Sequence, residues 1–83
     1  MKMPTTYFLL NVTLNQEQTV IDHIKKSLSD VSNIAFDIQG VFGVYDIVLK
    51  VTSDSEDSLR NTVMGKIRSI QNIQSSITMI VNE

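Results

Sequence analysis

Cysteine is absent from the 83-residue chain, histidine and proline each occur once, and glycine occurs three times. Without cysteine the chain can form no disulfide, no thiolate nucleophile and no cysteine-ligated zinc or iron–sulfur site, and one histidine cannot build a histidine-rich metal cluster. The formal net charge of -2 provides no basic surface, so we expect no direct contact with nucleic acid. No apolar run has the pattern of a signal peptide or approaches the ~20 residues of a membrane span. We therefore expect a cytoplasmic protein without a membrane partner.

What is present is the composition of a globular domain, with 42% hydrophobic and 19% charged residues. We expect residues 1–83 to form a single domain. A domain of this size buries only about 60% of the surface that its unfolded chain exposes, so its own core is modest. Association with partners would add to its stability.

Two kinds of hydrophobic periodicity alternate along the chain. Residues 7–13, 34–39, 45–52 and 73–81 show the two-residue alternation that is typical of β-strands. A four-residue spacing of apolar side chains indicates two amphipathic helices between these strands. The positions that carry it are Val20, Ile24 and Leu28 in the first helix, and Leu59, Val63 and Ile67 in the second.

Polar residues precede each helical pattern. Asn15, followed three positions later by Gln18, predicts a variant capping box for the first helix, with Glu17 complementing the helix dipole. The acidic, serine-rich segment 53–57 predicts the start of the second helix. Residues 40–43, with a glycine at each end, predict a tight connection between the second and third strands.

The two halves of the chain repeat at an offset of 39 residues, which aligns Leu10 with Leu49 and Asn33 with Asn72. The resulting order βαββαβ predicts an α+β fold of the ferredoxin-like type. Right-handed crossovers in both halves place both helices on one face of a four-stranded antiparallel sheet with strand order 4-1-3-2.

The strand alternation assigns each side chain to one of the two sheet faces. The helix-covered face is expected to form the core, from Phe8, Leu10, Val12, Ile34, Phe36, Ile38, Ile47, Leu49, Val51, Ile73 and Ile77. The opposite face is mixed rather than polar, with Tyr7, Leu9, Asn11, Ala35, Asp37, Val41, Asp46, Val48, Lys50, Ser76, Thr78 and Ile80.

The mixed face predicts a homodimer packed sheet to sheet. Leu9, Val48 and Ile80 would each gain roughly 1.5–3 kcal/mol on burial, whereas a solvated sheet face is normally polar. The alternative is that these residues are the scattered aliphatic side chains that every protein surface carries.

The residues that could carry catalysis are few. His23 lies at the rim of the first helical stripe and is interpreted as a partly exposed helix histidine rather than a general base. The acidic cluster Asp54, Glu56 and Asp57 is interpreted as helix capping rather than a cation site. No catalytic triad, metal-ligand spacing or cofactor motif occurs, so we expect no enzymatic activity and no cofactor.

The stretch that follows the predicted hairpin connection is the candidate binding site. Asp46 could hold the ammonium group of a small zwitterion, and the Gly43 N–H together with the Ser76 and Thr78 hydroxyls could hold its carboxylate. The alternative is a turn glycine and a capping aspartate without a ligand.

Residues 41–47, VFGVYDI, and residues 73–78, IQSSIT, resemble the effector-binding domain of the leucine-responsive and asparagine-synthetase regulators, the Lrp/AsnC family. This domain is also called the RAM domain, for regulation of amino-acid metabolism. The resemblance covers about residues 6–81, and Gly-x-Tyr-Asp is its most distinctive part. Two positions depart from the family pattern: Ser76 stands where threonine is common, and Phe42 replaces a small or hydroxyl residue.

The resemblance implies a binding module rather than an enzyme. Its members form dimeric α/β-barrel-like assemblies, join into rings such as octamers or decamers, and bind amino acids between dimers. By similarity, Gly43, Tyr45 and Asp46 lie on the ligand-facing hairpin, and Ser76 and Thr78 lie on the fourth strand. Because the first strand begins near residue 6, we expect a stand-alone form without a helix-turn-helix, which binds its effector alone or co-assembles with a full-length regulator.

Two other functions stay open on the sequence alone. One is a small ferredoxin-like dimeric enzyme of the monooxygenase or isomerase type, which would need a titratable group such as His23 or Tyr7 between sheet and helices. The other is a purely structural assembly partner.

Overall fold

The computed structural model describes residues 3–81 and contains the predicted strands and helices in the predicted order. One antiparallel sheet has the order β2-β3-β1-β4, which is the predicted order read from its other edge. Its strands are β1 (Thr5–Val12), β2 (Ile34–Gly40), β3 (Ile47–Ser53) and β4 (Ile73–Ile80). The helices are α1 (Glu17–Ser29) and α2 (Met64–Arg68), the latter preceded directly by a π-helical segment (Ser58–Val63).

Both helical regions pack on the same side of the sheet, as predicted. Every fourth residue of each helical stripe is buried against the two central strands, β1 and β3. The buried core consists of Phe8, Leu10, Val12, Val20, Ile24, Leu28, Ile47, Leu49, Val51, Leu59, Val63 and Ile67. Within residues 3–81, no helix is both long enough and apolar enough to cross a bilayer.

The internal repeat is visible in the backbone. Asn33 and Asn72, which are 39 positions apart, both adopt a left-handed conformation, with φ of 66° and 72°. Asparagine tolerates this region better than most residues because its side chain can bond to the local backbone. Each asparagine directly precedes a strand, so the same turn leads the chain from a helix into β2 and into β4.

The capping box predicted for the first helix is wrong. Asn15 has a φ of 66°, and Gln16 occupies the N-cap position without a side-chain hydrogen bond to the helix. The Gln18 amide donates to the Asp22 carboxylate at 2.9 Å instead of reaching back to the helix start. The first turn of α1 therefore has no side-chain cap.

The predicted start of the second helix is confirmed. The Ser55 hydroxyl accepts a hydrogen bond from the Ser58 N–H at 3.3 Å, which is the geometry of a helix N-cap. The helix then continues with wider, π-type turns, since the Met64 N–H donates to the Leu59 carbonyl five residues before it.

A β-bulge changes the alternation of β4. Asn11 pairs with Ser75, but Val12 pairs with Ile73, so Gln74 has no partner on β1. One extra residue in a strand turns every following side chain to the other face. The predicted orientation holds for Ile73 and is inverted after it.

The inverted residues correct both face assignments. Thr78 lies opposite the buried Phe8, and Ser76 lies opposite Leu10, so both are on the helix side of the sheet and not on the open face as predicted. Ile80, which lies opposite the buried Thr6, is likewise on the helix side. Ile77, predicted to be in the core, lies opposite Leu9 on the open face and is 44% exposed.

The bulge makes the open face more apolar than the sequence analysis predicted. Val48, Leu9 and Ile77 form one row across three neighbouring strands, and Met79 lies opposite Tyr7 in the next row. We call these four aliphatic side chains, Leu9, Val48, Ile77 and Met79, the open-face patch.

The connection between β2 and β3 is longer than predicted, because β3 begins at Ile47 and leaves residues 41–46 outside the sheet. Gly43 has a φ of 143°, a conformation that favours glycine. Phe42 is fully exposed and Val44 is 82% exposed at this tip. The tip therefore exposes two apolar side chains to solvent, and its backbone conformation favours glycine at position 43.

We expect Leu49→Ala to lower the free energy of unfolding by about 2–5 kcal/mol, because Leu49 is fully buried on a central strand and its truncation leaves a cavity. Urea denaturation at one fixed protein concentration measures the change. Leu14→Ala is the matched control, since Leu14 is 79% exposed and its loss should change stability by less than about 0.5 kcal/mol. Equal effects of the two substitutions would contradict the core described above.

We expect Gly43→Ala and Gly65→Ala to change stability in opposite directions. An alanine Cβ has nothing within 4 Å at either site, so backbone conformation decides the result. At Gly43 the positive φ should cost about 1–3 kcal/mol or force the tip to rearrange. At Gly65, inside α2, alanine should stabilise by about 0.4–1 kcal/mol. Thermal unfolding of both variants gives the comparison.

Candidate functional site

Asp46 holds the base of the hairpin connection against β1. Its N–H donates to the Leu10 carbonyl, and its carbonyl accepts from the Val41 N–H, both at 2.9 Å. Its carboxylate Oδ2 accepts the Val12 N–H at 3.0 Å. These bonds fix Asp46 through its backbone and one carboxylate oxygen. A carboxylate has about four acceptor positions, so Asp46 can still receive donors from a ligand.

The hairpin connection and the start of α1 border an open surface cleft of about 550 Å³. This volume lies within the range of small-molecule sites, about 300–1,000 Å³. The loop after β1 and the loop after β2 lie at the same end of the sheet because these strands run parallel to each other. The cleft is lined by Asn15, Glu17, Gln18, Ile21, Gly40, Val41, Phe42 and Asp46.

Three kinds of groups meet in this cleft. Glu17 and Asp46 supply carboxylates, and neither lysine, arginine nor histidine is present among the lining residues. The uncapped first turn of α1 supplies backbone N–H groups at the positive end of the helix dipole. Ile21, Val41 and Phe42 supply hydrocarbon. An ammonium group, a carboxylate and an apolar group could each find a suitable surface here.

Of the predicted site residues, only Asp46 lines the cleft. Gly43 lies at the exposed tip of the same connection, and Tyr45 is half-buried between the two. The structure thus keeps these three residues on one loop. The sequence analysis missed the α1 side of the cleft, although the topology it predicted already brings the two loops to one end of the sheet.

Ser76 and Thr78 lie apart from this loop. They belong to the edge strand β4, and β1 runs between β4 and the strand that Asp46 precedes. Two strand spacings separate Asp46 from Ser76 by about 10 Å. Within one subunit, Ser76 and Thr78 therefore lie across β1 from Asp46 and do not line its cleft.

Thr78 lines a separate crevice between the sheet and the π-helical segment. Its volume is about 10 Å³, which is room for one water molecule. The buried Thr6 hydroxyl side chain and the exposed Arg60 are among its walls. This crevice is too small for an amino acid in the conformation observed.

The residues that an enzyme would need do not lie between sheet and helices. His23 is exposed on α1, in a shallow surface depression shared with Lys26 and Ser69. Tyr7 is on the open face, beside Asp37 and Lys50. In the described part of the chain, His, Asp and Glu side chains form no group of three that could hold a metal ion.

Comparison with known proteins agrees with this geometry. Residues 7–83 match the family model of the Lrp/AsnC ligand binding domain. No curated protein sequence matches significantly. A hypothetical protein from Pyrococcus horikoshii has a solved structure with 28% identity and a TM-score of 0.76, covering 98% of this chain and 92% of that one.

Two longer proteins share the fold. E. coli AsnC is 22% identical with a TM-score of 0.73, covering 96% of this chain and 51% of that chain. A Neisseria meningitidis transcriptional regulator, solved as an L-Met complex, is 8% identical with a TM-score of 0.58, covering 96% of this chain and 50% of that chain. At these identities the likeness shows the fold alone. The family match over residues 7–83, on a fold shared with E. coli AsnC, shows that this chain belongs to the Lrp/AsnC ligand-binding domain family.

Proposed function

We propose that this chain binds an amino acid as a small effector, oligomerises, and acts on transcriptional regulation or amino-acid metabolism without contacting DNA itself. The observation that carries the proposal is the cleft of about 550 Å³ between α1 and the hairpin connection. It combines a carboxylate, an uncapped helix N-terminus and an apolar wall, and a free amino acid carries a complement to each.

The ligand's ammonium group would lie against the Asp46 carboxylate. Charge-assisted hydrogen bonds of this type are about twice as strong as neutral ones. The ligand's carboxylate would accept backbone N–H groups, from the first turn of α1 and from Gly43. Helix N-termini are favourable sites for anions because unsatisfied N–H groups and the helix dipole act together.

Ser76 and Thr78 would complete the site from a neighbouring subunit. Both lie on an edge strand, and Ser76 is exposed. Because they lie across β1 from Asp46 and do not line the cleft of their own subunit, we assign them to the cleft of an adjacent copy. The effector site is then composite, with Gly43, Tyr45 and Asp46 from one copy and Ser76 and Thr78 from another.

The open-face patch supports the assembly that such a site needs. Four aliphatic side chains on three adjacent strands lie partly exposed on one face, and a second copy of the sheet would cover them. We propose a sheet-to-sheet, barrel-like homodimer that associates further into a ring of eight or ten subunits, or with a full-length regulator of the same family. The net charge of -2 supports a role that does not involve nucleic acid.

The family match and the Neisseria meningitidis regulator support an amino acid as the effector. The family model is that of a ligand-binding domain, and that regulator was solved with L-Met. Amino acids that bind the folded state should raise its stability by about 2.7 kcal/mol at 100 times their dissociation constant.

We expect Asp46→Asn to weaken amino-acid binding by about 10- to 100-fold, the equivalent of a lost charge-assisted hydrogen bond worth about 1.5–3 kcal/mol. The asparagine amide oxygen can still accept the Val12 N–H, so the fold should persist. Isothermal titration with the common neutral amino acids measures the change. Asp54→Asn, an exposed carboxylate remote from the cleft, should bind as the wild type does. Unchanged affinity in the Asp46 variant would remove the proposed ammonium contact.

We expect Ile77→Lys to convert the dimer to a monomer, because a lysine in the row with Leu9 and Val48 would bury an unpaired charge between two sheets. Light scattering coupled to size-exclusion chromatography at micromolar concentration gives the mass. Gln71→Lys, at an exposed position beyond α2, is the control with the same added charge. A wild-type monomer under these conditions would refute the sheet-to-sheet assembly.

A further inference from the structure

Phe42 is the most exposed of the large hydrophobic side chains in the described part of the chain. A fully exposed phenylalanine forgoes the stabilisation that burial of its ring would give. Val44, two positions later on the same tip, is also exposed, but only Phe42 lines the cleft. Phe42 therefore borders a ligand bound in the cleft, whereas the exposed Val44 does not.

The hydrocarbon in the cleft comes from two elements that face each other. Ile21 projects from α1, while Val41 and Phe42 belong to the hairpin connection. Gly40, also in the lining, lies beside Ile21: a Cβ at this position would be 3.6 Å from the Ile21 Cδ1 atom, an ordinary van der Waals contact. Gly40 itself adds no side chain to this apolar part of the cleft.

The charges around this apolar part are all of one sign. Glu17 and Asp46 would repel an acidic ligand side chain, since no basic residue lines the cleft to offset them. A basic side chain would be attracted by the Glu17 carboxylate, but it would have to lose hydration to lie against Ile21, Val41 and Phe42. An uncharged apolar side chain meets neither penalty.

We propose that Phe42 is the specificity-determining residue of the effector site and selects neutral amino acids with apolar side chains. The proposal rests on the proposed function, because it assumes that the ligand's ammonium and carboxylate groups bind at Asp46 and the start of α1. It adds that the ligand's side chain lies between Ile21 and the Phe42 ring. Phe42 then acts on the part of the ligand that varies between amino acids, not on the part they share.

The test is a titration series with glycine, alanine, valine, leucine and methionine on the full chain. In the wild type, affinity should rise by about fourfold for each methylene group buried. In Phe42→Ala, the gain per methylene should fall below about twofold, while glycine affinity stays within about twofold of the wild type. Val44→Ala is the matched control and should keep the wild-type increments.

Each result decides between the two proposals. If the wild type binds none of the series, nor lysine nor glutamate, the proposed function fails and this inference fails with it. If binding persists but Phe42→Ala keeps the wild-type increments, or loses glycine as strongly as leucine, the specificity role is overturned and the proposed function stands. Tighter binding of lysine or glutamate than of leucine would also overturn it. Because Phe42 is fully exposed, its truncation leaves no cavity, and circular dichroism can verify that the variant is folded.

Discussion

Two helices must pack on the same side of this sheet, because right-handed crossovers connect each parallel pair of strands. The chain meets that constraint with one apolar stripe on each helix and a continuous core over β1 and β3. The other side of the sheet then has no cover within the subunit. Its aliphatic side chains are the reason to expect a second copy. Because the core of one subunit is small, burial of these side chains would add a larger share of the total stability than it would in a larger domain.

The same constraint positions the cleft. Since β1 and β2 are parallel, the loops that follow them lie at one end of the sheet, and α1 begins beside the hairpin connection. Asp46 holds that connection to β1 through its backbone and its carboxylate. The hydrogen bond to Val12 lies next to the bulge that alters β4. Residues 10–12 of β1 therefore contact both the hairpin connection, which carries Asp46, and β4, which carries Ser76 and Thr78.

Separation of the two halves has a functional consequence. Gly43, Tyr45 and Asp46 lie on one side of β1, while Ser76 and Thr78 lie on the opposite edge strand. If Ser76 and Thr78 contact a ligand held by a neighbouring copy, ligand binding and assembly become linked. A ligand that prefers the assembled form would shift the equilibrium toward it by its difference in affinity for the two forms.

The sequence by itself determined the order of elements, the helix-covered face and most of the core, because periodicity reports which side of an element avoids water. Val20, Ile24 and Leu28 are buried as their spacing predicts, and the repeat that pairs Asn33 with Asn72 reappears as two matching turns. The orientation of β4 was decided only by the tertiary structure. Residues 73–81 alternate equally well in either register, and the pairing of Val12 with Ile73 leaves Gln74 unpaired and inverts Ser76, Ile77 and Thr78. The cleft likewise depends on which loops meet in space: Phe42 and Ile21 are 21 positions apart along the chain, and no local pattern shows that they face each other.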